Sequence, residues 1–146
     1  MNFETSVRIE RPIEEVFDYL SDPGSFPHWN SAVRAVQATS VGTNEVGSTY
    51  SMKRELPSGS ADNELEITGL DRPRQFSIRT TSGPTPFHYR YDLRVDNGET
   101  IVTLDAEVQL EGTAALVAPL ARRAVKRGVD DNFATLKTLL AARASN

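Results

Sequence analysis

The feature that most constrains this chain is the change of its hydrophobic period near Gly112. Between about residues 32 and 111, apolar and polar residues alternate singly, which is the pattern of strands with one buried face. After Gly112, apolar residues recur every three or four positions almost to the end, which is the pattern of a long amphipathic helix. The sequence therefore predicts an antiparallel sheet with one apolar face and a helix that can cover this face.

The alternation also predicts which side chains point inward. Phe87, Tyr89 and Tyr91 share one phase, whereas His88 and Arg90 share the other. The inward residues that we expect to line a space between sheet and helix are Tyr50, Met52, Phe76, Ile78, Phe87, Tyr89, Tyr91 and Leu104 on strands and Val125, Val129 and Phe133 on the helix. Apolar walls with a few hydroxyls are typical of small-molecule sites, and a fully packed core is the alternative. The inward tyrosines favour a cavity, because a packed core would have to satisfy each hydroxyl.

Two further residues complete the predicted ligand-binding set. Arg54 shares the inward phase of Met52, so its guanidinium could pair with a carboxylate or enolate of a ligand. The alternative is that Arg54 extends past the strand end into water. Trp29, in a short turn after the first helix, is the second residue. Its neighbour His28 is expected to be structural or exposed, and we assign no catalytic residue.

Composition excludes several classes of function. The chain has no cysteine, which rules out disulfides, thiolate catalysis and cysteine-ligated metals. Its two histidines lie on separate segments and there is no glycine-rich phosphate loop, so we predict neither a metal nor a cofactor. The formal net charge of −4 argues against nucleic-acid binding. The basic residues Arg122, Arg123, Lys126 and Arg127 are interpreted as the solvated face of the long helix.

The sequence has no run of about 18 apolar residues, so we predict no stable membrane insertion. Its first residues lack a basic segment leading into an apolar run, and we therefore expect a cytoplasmic protein. Within the long helix, Pro119 is expected either to kink the helix or to follow a short preliminary turn.

Several landmarks along the chain carry a family resemblance. They are residues 11–23, 27–29, 98–100, 112, 118–120 and 132–140. Together they resemble the polyketide cyclase/dehydrase-like branch of the START/Bet v 1-like (SRPBCC) superfamily. The resemblance implies an α+β helix-grip fold, in which a curved antiparallel sheet of about six or seven strands wraps around a long C-terminal helix. It also implies two short helices after the first strand and one domain over residues 1–146.

Three functions are compatible with this resemblance. The first is binding of a small hydrophobic or aromatic metabolite, lipid-like or polyketide-like, in an internal cavity. The second is a cyclase or dehydratase in which the tyrosines and Arg54 stabilise an enolate, and the third is a protein-interaction module. An apolar cavity favours the binding protein, a polar cluster at its end favours the enzyme, and a filled core favours the module. We expect access between the Pro119 region and the loops near Phe26, Pro57 and Pro84, whereas the ligand and the oligomeric state stay open.

Overall fold

The computed structural model describes residues 1–56, 59–110 and 116–143. Pro57 and Gly112, where the sequence predicts a turn and the change of period, lie outside the described residues. The strands are β1 (Asn2–Ile9), β2 (Val33–Ala38), β3 (Thr49–Leu56), β4 (Gly59–Asp71), β5 (Gln75–Ser82), β6 (Phe87–Asp96) and β7 (Glu99–Val108). The helices are α1 (Ile13–Leu20), α2 (Phe26–Trp29) and α3 (Ala118–Ala142), with a 3₁₀ turn at Pro23–Ser25.

The strands form one antiparallel sheet of seven strands in the order β1-β7-β6-β5-β4-β3-β2. Strands consecutive in the chain are neighbours from β2 to β7, and β1 closes the sheet against β7. The register shifts once between β2 and β3 and twice between β4 and β5, and such irregularities bend and twist strands locally. The helix-grip arrangement and the strand number expected from the sequence are confirmed.

The short helices follow β1 for local reasons. In α1, Glu14 and Glu15 lie in the first turn, where carboxylates interact favourably with the helix dipole. Its buried face contains Val16 and Phe17, and the chain leaves the helix before Pro23. The two short helices predicted after the first strand are therefore present.

The two halves of α3 have different surroundings. Phe133, Leu136 and Leu140 in the second half are fully buried against the sheet. The predicted apolar stripe begins earlier, yet Leu116 is 84% exposed and Leu120 is 65% exposed. The helix therefore covers the apolar face of the sheet mainly with its second half, while Val125 and Val129 are only partly buried against the core.

Pro119 lies in the first turn of α3, which begins at Ala118. A proline there removes no helical hydrogen bond, because the first amides of a helix have no partner within it. Pro119 therefore starts the helix and does not kink it. None of the described helices combines the length and apolarity needed to cross a membrane.

Candidate functional site: a cavity beneath the first half of α3

A cavity of about 340 Å³ lies between the sheet and the first half of α3. Its remaining walls come from α2 with the segment that follows it, and from β3, β5 and β6. The predicted ligand-binding residues at its wall are Trp29, Met52, Arg54, Ile78, Phe87, Tyr89, Tyr91, Val125 and Val129. The inward phase predicted for β6 is confirmed, since Phe87, Tyr89 and Tyr91 face the cavity and His88 is exposed.

Other predicted residues pack behind this wall and do not form part of it. The ring of Phe76 stacks on Tyr91 with centroids 5.8 Å apart, and the Phe133 ring is 6.3 Å from Tyr91 on another side. Leu104 is fully buried and pairs with Tyr91 in the sheet register. These three residues fix the position of the Tyr91 ring.

Tyr50 differs from the other predicted tyrosines, because a loop satisfies its hydroxyl. The hydroxyl donates to Asn44 Oδ1 at 3.1 Å and accepts from the Asn44 amide at 2.8 Å. Its side chain therefore closes the β2–β3 connection and lies outside the cavity wall.

Arg54 is the one cationic side chain at the wall formed by the described residues. Its Nη1 donates to Asn63 Oδ1 at 3.1 Å and more weakly to the Thr85 carbonyl at 3.4 Å, and its guanidinium lies 5.4 Å from the centre of the Phe87 ring. All of these partners are neutral, and none of the described carboxylates lies within salt-bridge distance. Burial lowers the pKa of Arg54, although a guanidinium stays charged in proteins.

Two tyrosine hydroxyls accompany Arg54 at the wall. The rings of Phe87 and Tyr89 lie 4.4 Å apart, and those of Tyr89 and Tyr91 are 6.3 Å apart at nearly a right angle. Within the described part of the chain, neither tyrosine hydroxyl has a hydrogen-bond partner. Burial raises the pKa of both tyrosines, and Arg54 partly offsets this for Tyr89. Both hydroxyls therefore stay protonated near neutral pH and can donate a hydrogen bond to a ligand.

The sequence did not predict two buried asparagine side chains at or near the cavity, Asn63 and Asn132. Asn63 is 1% exposed, and besides holding Arg54 it donates from Nδ2 to the carbonyls of Ser82 and Pro84, 3.1 and 3.0 Å away. Asn132, at the wall on α3, accepts from the Ser31 amide at 3.1 Å. The sequence does hold one indication of Asn63. It is a polar residue two positions before Leu65, so both side chains lie on the same, inward face of β4.

The wall contributed by α3 consists of Ala124, Val125, Gly128, Val129 and Asn132. Ala124 is exposed at the cavity margin, and so is Ser31 across from it, which places an opening between α3 and the segment after α2. This is the side on which the sequence predicts access. Apart from its own helix backbone and chain neighbours, a Cβ atom added at Gly128 would meet no atom of the described residues within 4 Å.

Glu55 also borders the cavity, and its carboxylate pairs with Arg34 at 3.5 Å and accepts from the Ser60 hydroxyl at 2.9 Å. Both histidines, His28 and His88, lie off the cavity wall. Across residues 1–56, 59–110 and 116–143, no cluster of three or more histidine or acidic side chains has a metal-binding arrangement. A shallow depression on the outer face of the sheet is bordered by Arg79 and Arg90, whose charges are paired with Glu66 and Asp92.

Comparison with known proteins gives a family match over most of the sequence. The family model described as polyketide cyclase / dehydrase and lipid transport matches residues 1–141. A search of curated proteins finds no match.

Solved structures share the fold at low sequence identity. The protein TTHA0849 from Thermus thermophilus superposes with a TM-score of 0.83 at 13% identity, covering 98% of this chain and 99% of that one. A START superfamily protein from Mycobacterium smegmatis gives 0.76 at 16% identity, with 97% of each chain covered. The di-domain ARO/CYC StfQ from the steffimycin biosynthetic pathway gives 0.78 at 12% identity, covering 99% of this chain and 52% of StfQ. At these identities the likenesses show the fold alone.

Proposed function

The chain belongs to the polyketide cyclase/dehydrase and lipid transport family, and from this premise we propose that it binds a small, largely apolar molecule with an anionic group in the cavity beneath α3. The START/Bet v 1-like resemblance of the sequence is thereby confirmed. The volume of about 340 Å³ suits a ligand of modest size, since small-molecule pockets begin at about 300 Å³.

The observation that carries the proposal is the charge of Arg54 in an apolar wall. Met52, Ile78 and Val129 supply apolar surface around it, and its own hydrogen-bond partners are neutral. A buried charge is costly unless an opposite charge or several hydrogen bonds compensate it. A ligand carboxylate, enolate or phosphate would provide that compensation, and the guanidinium fork is suited to bind two of its oxygens. The hydroxyls of Tyr89 and Tyr91 would add hydrogen bonds to the same oxygens.

Matched ligands test this assignment. Calorimetry would compare 2-naphthylacetic acid and dodecanoic acid with their methyl esters, which keep the apolar part and lose the charge. We expect the acids to bind more tightly. Arg54→Gln should weaken binding of the acids by roughly ten-fold or more, because a charged hydrogen bond contributes about 1.5–3 kcal/mol. The esters should be unaffected by this change.

Arg90→Gln, on the outer face of the sheet, is the control and should bind both ligand types as the parent does. If none of the four compounds binds the parent protein, the proposed binding function is wrong. If acids and esters bind equally to the parent and to Arg54→Gln, the apolar cavity remains and the anionic preference is wrong.

A second candidate function is enolate chemistry of the cyclase or dehydratase type. The series of ring contacts that links Arg54 through Phe87 to Tyr89 and Tyr91 at the cavity wall favours it, because these donors could stabilise the oxygen of an enolate. A bound 1,3-diketone would then exchange its central protons with deuterated water faster in the presence of the protein. Exchange that is no faster than in buffer, or that persists in Arg54→Gln, would contradict this activity.

A further inference from the structure

We propose that the exposed apolar turn before α3, together with the first turns of α3, attaches the protein reversibly to the surface of an anionic lipid bilayer, with the opening of the cavity beside it. The residues concerned are Leu116, Val117 and Leu120 with Arg123 and Arg127, and we refer to them as the docking face. This inference adds a partner surface to the ligand-binding function proposed above.

The docking face exposes aliphatic side chains to solvent, whereas the solvent-exposed positions of a helix are normally polar. Leu116, Val117 and Leu120 are 84%, 49% and 65% exposed. Leu116 and Val117 lie in the short turn directly before α3, and Leu120 lies in the first turn of α3, so the three exposed side chains fall within five consecutive positions. A single exposed leucine is ordinary, whereas neighbouring exposed aliphatic side chains mark a contact surface.

Charge identifies the partner. Residues 112–129 contain four basic residues and no acidic residue, although the chain carries a net charge of −4. Arg122 donates to the Asn2 carbonyl and Lys126 pairs with Asp130. Arg123 and Arg127 are exposed, and they have no hydrogen-bond or ion-pair partner among the residues that the structure describes.

These two arginines flank the exposed aliphatic residues. Arg123 and Arg127 follow Leu120 by three and seven positions, which places them on its side of α3. Aliphatic side chains beside cations are the composition of helices that lie in the interface of anionic membranes. The convex face of a helix needs no complementary groove in a bilayer, which favours lipid over a protein partner.

The docking face also adjoins the cavity. Leu120 precedes Ala124 by one helical turn, and Ala124 is an exposed residue of the cavity wall. A protein held by the docking face would therefore present its opening to the bilayer. An apolar ligand could then pass between cavity and membrane without crossing water, which is the costly step for such a molecule.

Vesicle co-sedimentation tests the proposal with the full chain. We expect binding to vesicles of phosphatidylcholine with phosphatidylglycerol, weak binding to phosphatidylcholine alone, and a decrease with added salt. Leu120→Asp should reduce binding by at least about ten-fold, because it removes an aliphatic side chain that would be buried in the bilayer and adds a negative charge. Arg123→Gln and Arg127→Gln should each reduce it by about five-fold.

Val95→Asp is the matched control, because Val95 is also an exposed aliphatic residue, 59% exposed. It lies at the end of β6 opposite to Phe87, which borders the cavity. It should bind vesicles as the parent does. Failure of the parent to bind anionic vesicles, equal binding to neutral vesicles, or an equal loss in Leu120→Asp and Val95→Asp would each overturn the proposal.

A separate measurement distinguishes this inference from the proposed function. The affinity of Leu120→Asp for the naphthyl and dodecanoic acids, measured without vesicles, should equal that of the parent, and circular dichroism checks its fold. Reduced acid affinity in Leu120→Asp would overturn the assignment of Leu120 to a separate docking face. If the parent binds vesicles and none of the small molecules, the docking face stands and the ligand-binding proposal is wrong.

Discussion

At the scale of single residues, Asn63 determines how Arg54 is presented. Its carbonyl oxygen accepts from Arg54, and its amide nitrogen donates to the carbonyls of Ser82 at the end of β5 and Pro84 in the β5–β6 loop. One neutral side chain thus holds the guanidinium without neutralising it. This leaves the charge of Arg54 available to a ligand.

Asn63→Asp tests this role, because it places a carboxylate beside Arg54 with almost no change in shape. We expect acid ligands to bind about ten-fold more weakly or worse, and their esters to bind normally. Lost donors to Ser82 and Pro84 should also destabilise the fold by about 1–3 kcal/mol. Asn97→Asp, in the turn between β6 and β7, is the control and should leave acid binding unchanged. Unaltered acid binding by Asn63→Asp would show that Arg54 does not carry the selectivity.

The hydroxyls of Tyr89 and Tyr91 give a prediction for alkaline pH. Burial raises the pKa of both groups above the ordinary tyrosine value of about 10. Their raised pKa values contribute stability that is present below about pH 10 and is lost as the pH rises through the folded-state values. In an ultraviolet titration, the Tyr89→Phe, Tyr91→Phe double variant should form as many tyrosinates near pH 10 as the parent. Fewer tyrosinates in the variant would contradict the buried, neutral state.

At the scale of elements, α3 joins a packed half to a half that borders the cavity. Phe133 is 2% exposed and contacts the Tyr91 ring, whereas Val125 lies half-buried at the cavity wall. The same helix therefore serves as a core element and as one side of a binding site.

Shortening a side chain to alanine should lower the free energy of unfolding by different amounts in the two halves of α3. Phe133→Ala is expected to cost about 3–5 kcal/mol, because it leaves a hole in a packed region. Val125→Ala should cost about 1 kcal/mol or less, because part of its surface already lacks protein neighbours. Denaturant unfolding measures both values. Similar losses in the two variants would indicate that the first half of α3 is packed as tightly as the second.

The sequence predicts the elements of this fold more completely than the site. Alternation in β6 correctly orients Tyr89 and Tyr91, since one face of an antiparallel sheet must be buried. Periodicity cannot show how far a helix stays against its sheet, and Leu120 therefore fits the apolar stripe although it is exposed. Asn63 and Asn132 were missed because apolar patterning ignores polar residues whose partners lie far away in the chain.

At the scale of the whole molecule, the cavity is volume that the core does not fill. Gly128 contributes to this, since a Cβ there would meet no atom of the described residues within 4 Å apart from its own helix backbone and chain neighbours, and glycine within a helix costs about 0.8–1.0 kcal/mol relative to alanine. The protein keeps a helix-weakening residue at a position that borders the cavity. Ligand volume and helix stability are therefore set in part by the same residue.

Gly128→Leu should raise the free energy of unfolding and reduce ligand binding together. The leucine adds helix propensity and occupies cavity volume, so we expect a gain of about 1 kcal/mol and loss of dodecanoic acid binding. Gly128→Ala, the control, should give most of the stability gain while retaining binding. Thermal unfolding and calorimetry check both variants. Full ligand affinity in Gly128→Leu would mean that this position lies outside the volume that the ligand uses.

The unequal anchoring of α3 has a consequence for kinetics. Because burial in the core is confined to the second half, from Asn132 onward, the first turns can separate from the body while Leu136 and Leu140 stay in place. Amide hydrogen exchange should then be fast before Gly128 and slow around Leu136. Ligand exchange would follow this local opening and not global unfolding, so that residence time and thermodynamic stability could change independently of each other.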